Sequence, residues 1–287
     1  MRRGGLLVLA LWLASAAGCF TAEPQRSVAR FGMQGPFTGP QGEDVVQLDV
    51  ALIECSVGDG YINKGLWQLT DESVSPDLKA ILQTNGFRAC QTGSTPPPGL
   101  LDLLNSEKYN FNPRRICTRA NTPTTIPLGP VWSSCPYDLD KDGTPTSVEV
   151  QQAQCVLTVV PALADEGRVT LRFTPEVRHG PTLLKPKPMQ EPSGSMSWTL
   201  VPEQASEAYA WLAWEMTVQP GEFVAVGTLL DRPDTLGYRS FLYTETSAPV
   251  QRLLVIRPAV PPRDNRPADL FDDRVPPLAL RARGCSR

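Results

Sequence analysis

The sequence predicts a mainly β protein of the α+β class, in which antiparallel strands form a sheet or sandwich beside one or two short helices. Three observations support this class. Apolar and polar residues alternate over short segments such as residues 46–52, which is the period of a strand with one buried face. Turn residues separate these segments at short intervals. The 29 prolines are spread along the chain and disfavour long helices.

The first half of the chain is predicted to hold one strand and two helices. The strand covers residues 46–52. Ser and Pro at 75–76 begin a helix, because Ser caps the first turn and Pro suits the first helical position; Asn85-Gly86 ends it. A second short helix is predicted over residues 100–104. Residues 105–136 show little periodicity and are interpreted as loops held by disulfides.

From residue 148 onward the pattern is plainly β. The acidic turn at 165–167 separates two alternating segments, which predicts a β-hairpin over residues 153–177 with one buried face. Residues 180–194 are rich in Pro, Lys and Gly and are interpreted as a linker. No pair of long amphipathic strands of the kind that build a membrane-spanning barrel wall is expected. Further strands are predicted over residues 197–201, 211–218, 223–229, 238–244 and 250–257.

The N-terminus has the pattern of an export signal. A basic start is followed by an apolar stretch over residues 6–14, which is shorter than the roughly 20 residues that span a bilayer. Small residues directly before Cys19 match a bacterial lipoprotein signal, in which Cys19 carries the lipid. The alternative is an ordinary secretory signal that is cut after Ala16. Both alternatives place the mature protein outside the cytoplasm, in the periplasm or facing the outer membrane or cell surface.

Composition divides the chain into four segments and restricts its partners. The four segments are a signal peptide (1–18), a flexible tether (19–43), a β-rich domain (44–258) and a Pro- and Arg-rich tail that is predicted to be disordered (259–287). Within the β-rich domain, a disulfide-stapled, loop-rich part over 55–155 overlaps a strand-rich part over 148–257. The formal net charge of −3 argues against a nucleic-acid partner, which requires a basic surface.

Seven cysteines in an exported chain are predicted to form disulfides. If Cys19 carries lipid, an even number remains. The disulfide candidates are Cys55, Cys90, Cys117, Cys135 and Cys155, with Cys285 as the sixth cysteine. No Cys-x-x-Cys spacing occurs and the single histidine, His179, lies far from every cysteine, which argues against zinc.

The closest motif match to a metal site is a calcium-loop pattern. Asp138, Asp140, Asp142 and Glu149 fit D-x-D-x-D-G-x5-E, in which carboxylates converge on one cation and Gly permits the sharp turn. A strand-like segment follows where an EF-hand needs a helix. Two interpretations remain, a polar connecting loop and a calcium site of another type. Calcium is the only cofactor that the sequence suggests.

Catalytic motifs are not evident, and the chain is predicted to be no enzyme. A Ser or Cys nucleophile needs a nearby base, and His179 stands at the end of a predicted strand, where a surface turn explains it. No nucleophile elbow, phosphate-binding Gly-rich loop or His-Glu zinc signature occurs.

Three segments together resemble the secretin domain of bacterial type II and type III secretion channels. They are the hairpin over 154–177, with its Val-Val-Pro, Asp-Glu-Gly and Pro-Glu-Val sequences, the strand Leu-Asp-Val-Ala-Leu-Ile-Glu over 48–54, and the strand-turn-strand over 218–227. They occur in the family's order. Thr228 stands where the family has its second Gly, and the following Leu-Gly-x-x-Pro signature is absent. The resemblance therefore implies the β framework of a secretin without its pore-forming signature.

The resulting expectation is a non-enzymatic cell-envelope lipoprotein whose secretin-like β domain has a structural or interaction role linked to protein secretion. The resemblance implies other envelope or secretion proteins as partners and leaves assembly into homo-oligomers open, while the lipid on Cys19 would hold the chain at a membrane. The alternative function is an exported ligand- or calcium-binding module.

Overall fold

A computed structural model describes residues 44–70, 74–190, 194–244 and 248–259, which belong to one compact unit of the chain. The predicted export signal, Cys19, the tether, Cys285 and nearly all of the predicted tail lie outside the described residues. In the described part, strands form two antiparallel sheets, which confirms the mainly β fold class.

The first sheet has the strand order β2-β10-β12-β1-β3, and β11 pairs with one end of β12. Its strands are β1 (Val45–Ser56), β2 (Phe87–Thr92), β3 (Asn110–Arg119), β10 (Phe223–Thr228), β11 (Leu242–Tyr243) and β12 (Val250–Ala259). β1, β10 and β12 are buried almost continuously rather than on alternate residues. Such a pattern is typical of strands that are covered on both faces.

The second sheet has the order β4-β6-β7-β8, with β5 paired to β6 and β9 paired to β7. Its strands are β4 (Thr124–Pro127), β5 (Trp132–Lys141), β6 (Thr144–Leu163), β7 (Val169–Gln190), β8 (Met196–Ala208) and β9 (Trp214–Val218). Alternate side chains of β6, β7 and β9 are buried, which places one face of this sheet on the core. The hairpin predicted over residues 153–177 is confirmed, because β6 and β7 pair antiparallel through this segment.

Helices are few and short in the described part of the chain. A π-helical turn (Tyr61–Gly65) runs into α1 (Leu66–Gln68), and α2 (Pro76–Thr84), α3 (Pro98–Asn105) and α4 (Leu236–Phe241) follow, with 3-10 turns at Asp165–Gly167 and Ala210–Leu212. α2 and α3 confirm the two helices that the sequence predicts. None of the described helices combines the length and apolar character that crossing a bilayer requires.

The first sheet separates two apolar clusters. Even-numbered side chains of β1, such as Leu48 and Val50, join the interior of the second sheet in the larger cluster. Odd-numbered ones, such as Ala51 and Ile53, pack with α1 and α3 in the smaller cluster. The molecule is therefore layered as helices, first sheet and second sheet, and this explains why the central strands lack exposed faces.

Two sequence interpretations are wrong in this part of the fold. Residues 105–136, interpreted as loops, contain β3, β4 and the start of β5. Most of the predicted strand over 238–244 is the helix α4, whose first turn is capped by the Thr235 side chain, and only β11 is extended. In the first case part of the pairing is long-range, since β3 pairs with β1, and in the second the segment is too short for its periodicity to separate a helix from a strand.

Candidate functional site

The most exposed part of the second sheet is the far end of the β7–β8 hairpin. β7 pairs with β6 only as far as Arg178, and beyond that point its partner is β8, with Gln190 opposite Met196. We call the described residues 180–190 and 194–205 the arm. At about 3.3 Å per residue each strand of the arm extends roughly 30 Å. The arm is thus a long two-stranded ribbon at the edge of the molecule.

One face of the arm is apolar. In the register, Leu184 lies opposite Pro202, Pro186 opposite Leu200, and Pro188 opposite Trp198, and partners in an antiparallel pair share a face. The residues of this apolar face are Leu184, Pro186, Pro188, Met196, Trp198, Leu200 and Pro202. Trp198 is 71% exposed, Leu184 64% and Leu200 62%. Large apolar side chains grouped in this way mark an interaction surface more often than single exposed ones.

The opposite face of the arm carries most of its charge. The Lys185 Nζ lies 3.0 Å from Glu203 Oε1, and the Lys187 Nζ lies 3.8 Å from Glu203 Oε2. The hydrogen bond and charge of Lys185, together with the charge of Lys187, lower the pKa of the Glu203 carboxyl. The two faces of the arm therefore differ: one carries its ion pairs beside the exposed Leu183 and Met189, and the other is almost entirely apolar and does not find cover within the described residues.

The arm corrects the interpretation of residues 180–194 as a linker, because residues 180–190 belong to β7. Prolines prompted that interpretation, because Pro cannot donate to a strand ladder. In the structure Pro186 and Pro188 are two residues apart, so their nitrogens lie on the same side of β7. Since this part of β7 has β8 as its one partner, that side is an open edge where no donor is needed. The period of two over 183–189 was the signal that could have revealed the strand.

A bulge joins the arm to the body of the sheet. The register shifts between His179 and Leu183, where Gly180 has a positive φ of 73°, a conformation that favours glycine. The Gln204 side chain donates hydrogen bonds to the carbonyls of Gly180, at 2.7 Å, and Gln152, at 3.3 Å. These bonds fix the point from which the arm leaves the sheet.

His179 lies at the same bulge. Its Nε2 is 3.8 Å from Glu207 Oε1, across the β7–β8 pair. The Glu176 carboxyl, on the same strand, accepts hydrogen bonds from Arg178 and Thr158. The pairing of β7 with β8 thus explains why the Glu207 carboxylate lies near His179.

The calcium-loop motif forms the hairpin of β5 and β6. Asp142 and Gly143 have φ values of 56° and 77° and connect Lys141 to Thr144, which is the two-residue turn that suits a β-hairpin. The side chain of Asp140 accepts from the Gly143 N–H at 2.9 Å.

The other carboxylates of the motif are bound separately along this hairpin. Ser147 donates to Asp138, which lies opposite it in the register, and Ser134 donates to Glu149 at 2.8 Å. Across the described residues, no three His, Cys, Asp or Glu side chains form a group that could hold a metal ion. The four motif carboxylates are therefore not brought together around one point, and the structure gives the calcium interpretation no support.

The five described cysteines are free thiols in this structure. Cys55 and Cys90 are buried in the smaller apolar cluster, where burial raises the pKa of each thiol to about 11. Cys117 is exposed on β3. Cys135 and Cys155 are buried in the larger cluster. The expected stapling of residues 55–155 by disulfides is therefore not present among the described residues.

Comparison with known proteins adds no family to this description. No protein-family model, no curated protein and no solved structure matches the chain. The arm and the fold that positions it are the features on which a function can be based.

Proposed function

We propose that the chain is a non-enzymatic cell-envelope lipoprotein, held at a membrane through Cys19, whose β domain is an interaction module associated with protein export. The observation that carries the proposal is the exposed apolar face of the arm. The secretin resemblance of the segments at 48–54, 154–177 and 218–227 supports the link to export, and the pattern before Cys19 supports the lipid anchor.

The arm suits a partner that supplies further β-strands. Neither long edge of the arm has a further strand partner within the described residues, and open edges accept additional strands; because Pro186 and Pro188 remove two donors from the β7 edge, the β8 edge suits such an addition better. An added strand could bury the apolar face of the arm, and the alternation of side chains would set the register of that strand. A second copy of the chain or a β-rich protein of the export apparatus would meet both requirements.

The test of this role is to purify the full-length protein from detergent-solubilised envelopes and to analyse it by light scattering and mass spectrometry. The arm variant combines Leu184→Ser, Trp198→Ser and Leu200→Ser. Matched controls are Leu69→Ser and Val131→Ser, because these side chains are 64% and 63% exposed but lie outside the arm. The wild type and both controls are expected to carry extra copies of the chain or secretion components, and the arm variant is expected to lose them. Identical behaviour of all four proteins would contradict the proposal.

The anchor has a separate test. Metabolic labelling with a fatty acid is expected to mark the wild type and to leave Cys19→Ala unlabelled, since the lipid is attached to that thiol. Equal labelling of both proteins, or none of either, would contradict the lipoprotein assignment and leave the arm experiment unaffected.

A further inference from the structure

The prolines of the arm show which of its residue pairs are hydrogen-bonded. Pro186 and Pro188 stand in an uninterrupted ladder with β8. A hydrogen-bonded antiparallel pair uses the N–H of both residues, and proline has none, so the pairs of these two prolines are non-hydrogen-bonded. The two kinds of pair alternate along a ladder. The bonds between β7 and β8 are therefore made at the odd-numbered positions of β7, for example by Lys187 with Thr199.

This pattern fixes which backbone groups face outward from the arm. The N–H and carbonyl groups of the even-numbered residues point away from the partner strand. On β7 these residues include Pro186 and Pro188, so that edge lacks two donors. On β8 the outward residues are Met196, Trp198 and Leu200, which can donate, followed by a proline at 202, which cannot. The β8 edge is therefore the edge of the arm that a new strand can pair with.

The β8 edge is complementary to itself in antiparallel orientation. Met196 is the first residue of β8, and Pro202 is the outward position at which the donors end. A second copy that pairs through the whole of this stretch is related to the first by a two-fold axis at Thr199. Trp198 of each copy then lies opposite Leu200 of the other, and the two residues exchange both backbone hydrogen bonds.

The side chains of β8 suit the same register. The pairing of Trp198 with Leu200 is a cross-strand pair of an aromatic and an aliphatic residue, a kind of pair that stabilises a sheet. Glu203 lies opposite Ser195 of the second copy, so the two glutamates do not face each other. The Glu203 charge is moreover already paired within its own arm. No like charges therefore oppose the contact between the two described stretches.

We propose that the partner of the arm is a second copy of the chain, bound by antiparallel pairing of the two β8 edges around Thr199. The product is a four-stranded sheet in the order β7-β8-β8-β7. Its outer edges are the two β7 edges, where Pro186 and Pro188 oppose the addition of further strands, so the assembly stops at two copies. Opposed residues share a face, and the two apolar faces therefore lie side by side on one surface.

The inference names the partner of the arm and rests on the proposed function for the meeting of two copies. The contact uses only the short stretch Met196–Pro202 of each copy, whereas stable interfaces bury about 1,200–2,000 Å². Two copies held at one membrane through Cys19 meet at a high local concentration, so a weak contact is sufficient there. In solution the dimer is therefore expected at high protein concentration.

The first test is disulfide cross-linking of the concentrated, purified full-length protein that carries Thr199→Cys, with Cys117→Ser to remove the exposed thiol. Opposed residues of a non-hydrogen-bonded pair have Cα atoms about 4.5 Å apart, which is within reach of a disulfide. The matched control is Ser197→Cys on the same face of β8. In the proposed register the two residues 197 are four positions apart, or roughly 13 Å, which is beyond that reach.

Mass spectrometry after oxidation in air with copper phenanthroline and digestion with trypsin identifies the cross-link. Trypsin does not cut before proline, so both positions fall in peptide 179–239, which contains no native cysteine. Two copies of this peptide joined to each other are expected from Thr199→Cys, in a yield at least about tenfold above that from Ser197→Cys. Equal yields from the two variants, or no joined peptide from Thr199→Cys, would overturn the proposal.

The second test is sedimentation equilibrium of the full-length protein in detergent. Leu200→Pro removes an outward N–H from the β8 edge, and the matched control Leu184→Pro removes one from the β7 edge; neither N–H belongs to the ladder inside the arm. The wild type and Leu184→Pro are expected to form a dimer of equal affinity, and Leu200→Pro is expected to weaken it about tenfold or more. A wild type that stays monomeric at every concentration, or equal weakening by both changes, would contradict the pairing.

Failure of the proposed function gives a different result. If the chain is cross-linked at position 199 but carries neither lipid label nor secretion components, the export proposal fails and the dimer stands. If the wild type carries secretion components that the arm variant loses, yet stays monomeric, the partner of the arm is another protein and the dimer inference fails alone.

Discussion

Replacing Asn85 by Ala is expected to loosen the contact between α2 and the β5–β6 hairpin. Asn85 follows the last turn of α2 and is 0% exposed. Its Nδ2 donates to the carbonyls of Ile81 and Asp140, both at 2.9 Å, and its Oδ1 accepts from the Asp140 N–H, also at 2.9 Å. One side chain therefore satisfies both backbone groups of Asp140, which belongs to a distant strand.

The magnitude follows from the bonds that Ala cannot make. A typical protein hydrogen bond contributes about 1 kcal/mol net, and a buried polar group that is left without a partner costs about 1–3 kcal/mol. Asp140 is only partly buried, so water can reach some of the released groups. We therefore expect Asn85→Ala to lower the free energy of unfolding by about 2–3 kcal/mol. For a domain of this size that corresponds to a fall of roughly 4–12 °C in Tm.

The assay is urea unfolding and thermal unfolding followed by circular dichroism, with Asp140→Ala as the matched control. The control keeps the backbone groups that Asn85 binds. It loses only the exposed hydrogen bond that the Asp140 carboxylate accepts from the Gly143 N–H. It is expected to change the free energy of unfolding by no more than about 0.5 kcal/mol. The reasoning would be refuted if Asn85→Ala were as stable as the wild type, or if Asp140→Ala were destabilised to the same extent.

Three further predictions concern packing, pH and calcium. Gly237→Ala is expected to lower the free energy of unfolding by more than about 2 kcal/mol, because the new Cβ would lie 2.3 Å from the carbonyl carbon of Gly86. Gly60→Ala is the control and is expected to leave the stability unchanged, since nothing lies within 4 Å of its new Cβ. Chemical unfolding of both variants checks this. Burial raises the pKa of Cys90 to about 11, so its stabilising contribution is present below the unfolded-state pKa near 9 and is lost as pH rises toward 11. In that window, in reductant, the wild type should lose up to about 1.4 kcal/mol per pH unit more than Cys90→Ala, and equal slopes would contradict the assignment. Millimolar calcium is expected to leave the Tm unchanged, and a rise in Tm that Asp138→Asn removes would restore the calcium interpretation.

Local patterns predicted those elements whose cause is local. The helix α2 was predictable because Pro76 at the first helical position and Asn85-Gly86 at its end act within one turn; Ser75 occupies the N-cap position, although its side chain makes no capping hydrogen bond. The strand at the start of the domain and the hairpin of β6 and β7 were predictable because their alternation is long and regular. Prediction was wrong where a local signal had two meanings: prolines suit a linker and an open strand edge equally.

The sequence by itself determined the mainly β class, the segments with strand and helix periodicity, and the expectation of an exported, lipid-anchored chain. The tertiary structure alone decided that residues 180–190 and 194–205 form an exposed arm with an apolar face, and that the carboxylates from Asp138 to Glu149 are spread along a hairpin. The physical reason is the range of each effect. Alternation and capping depend on neighbours in the chain, whereas strand register and the choice of covered face depend on contacts between residues far apart in sequence.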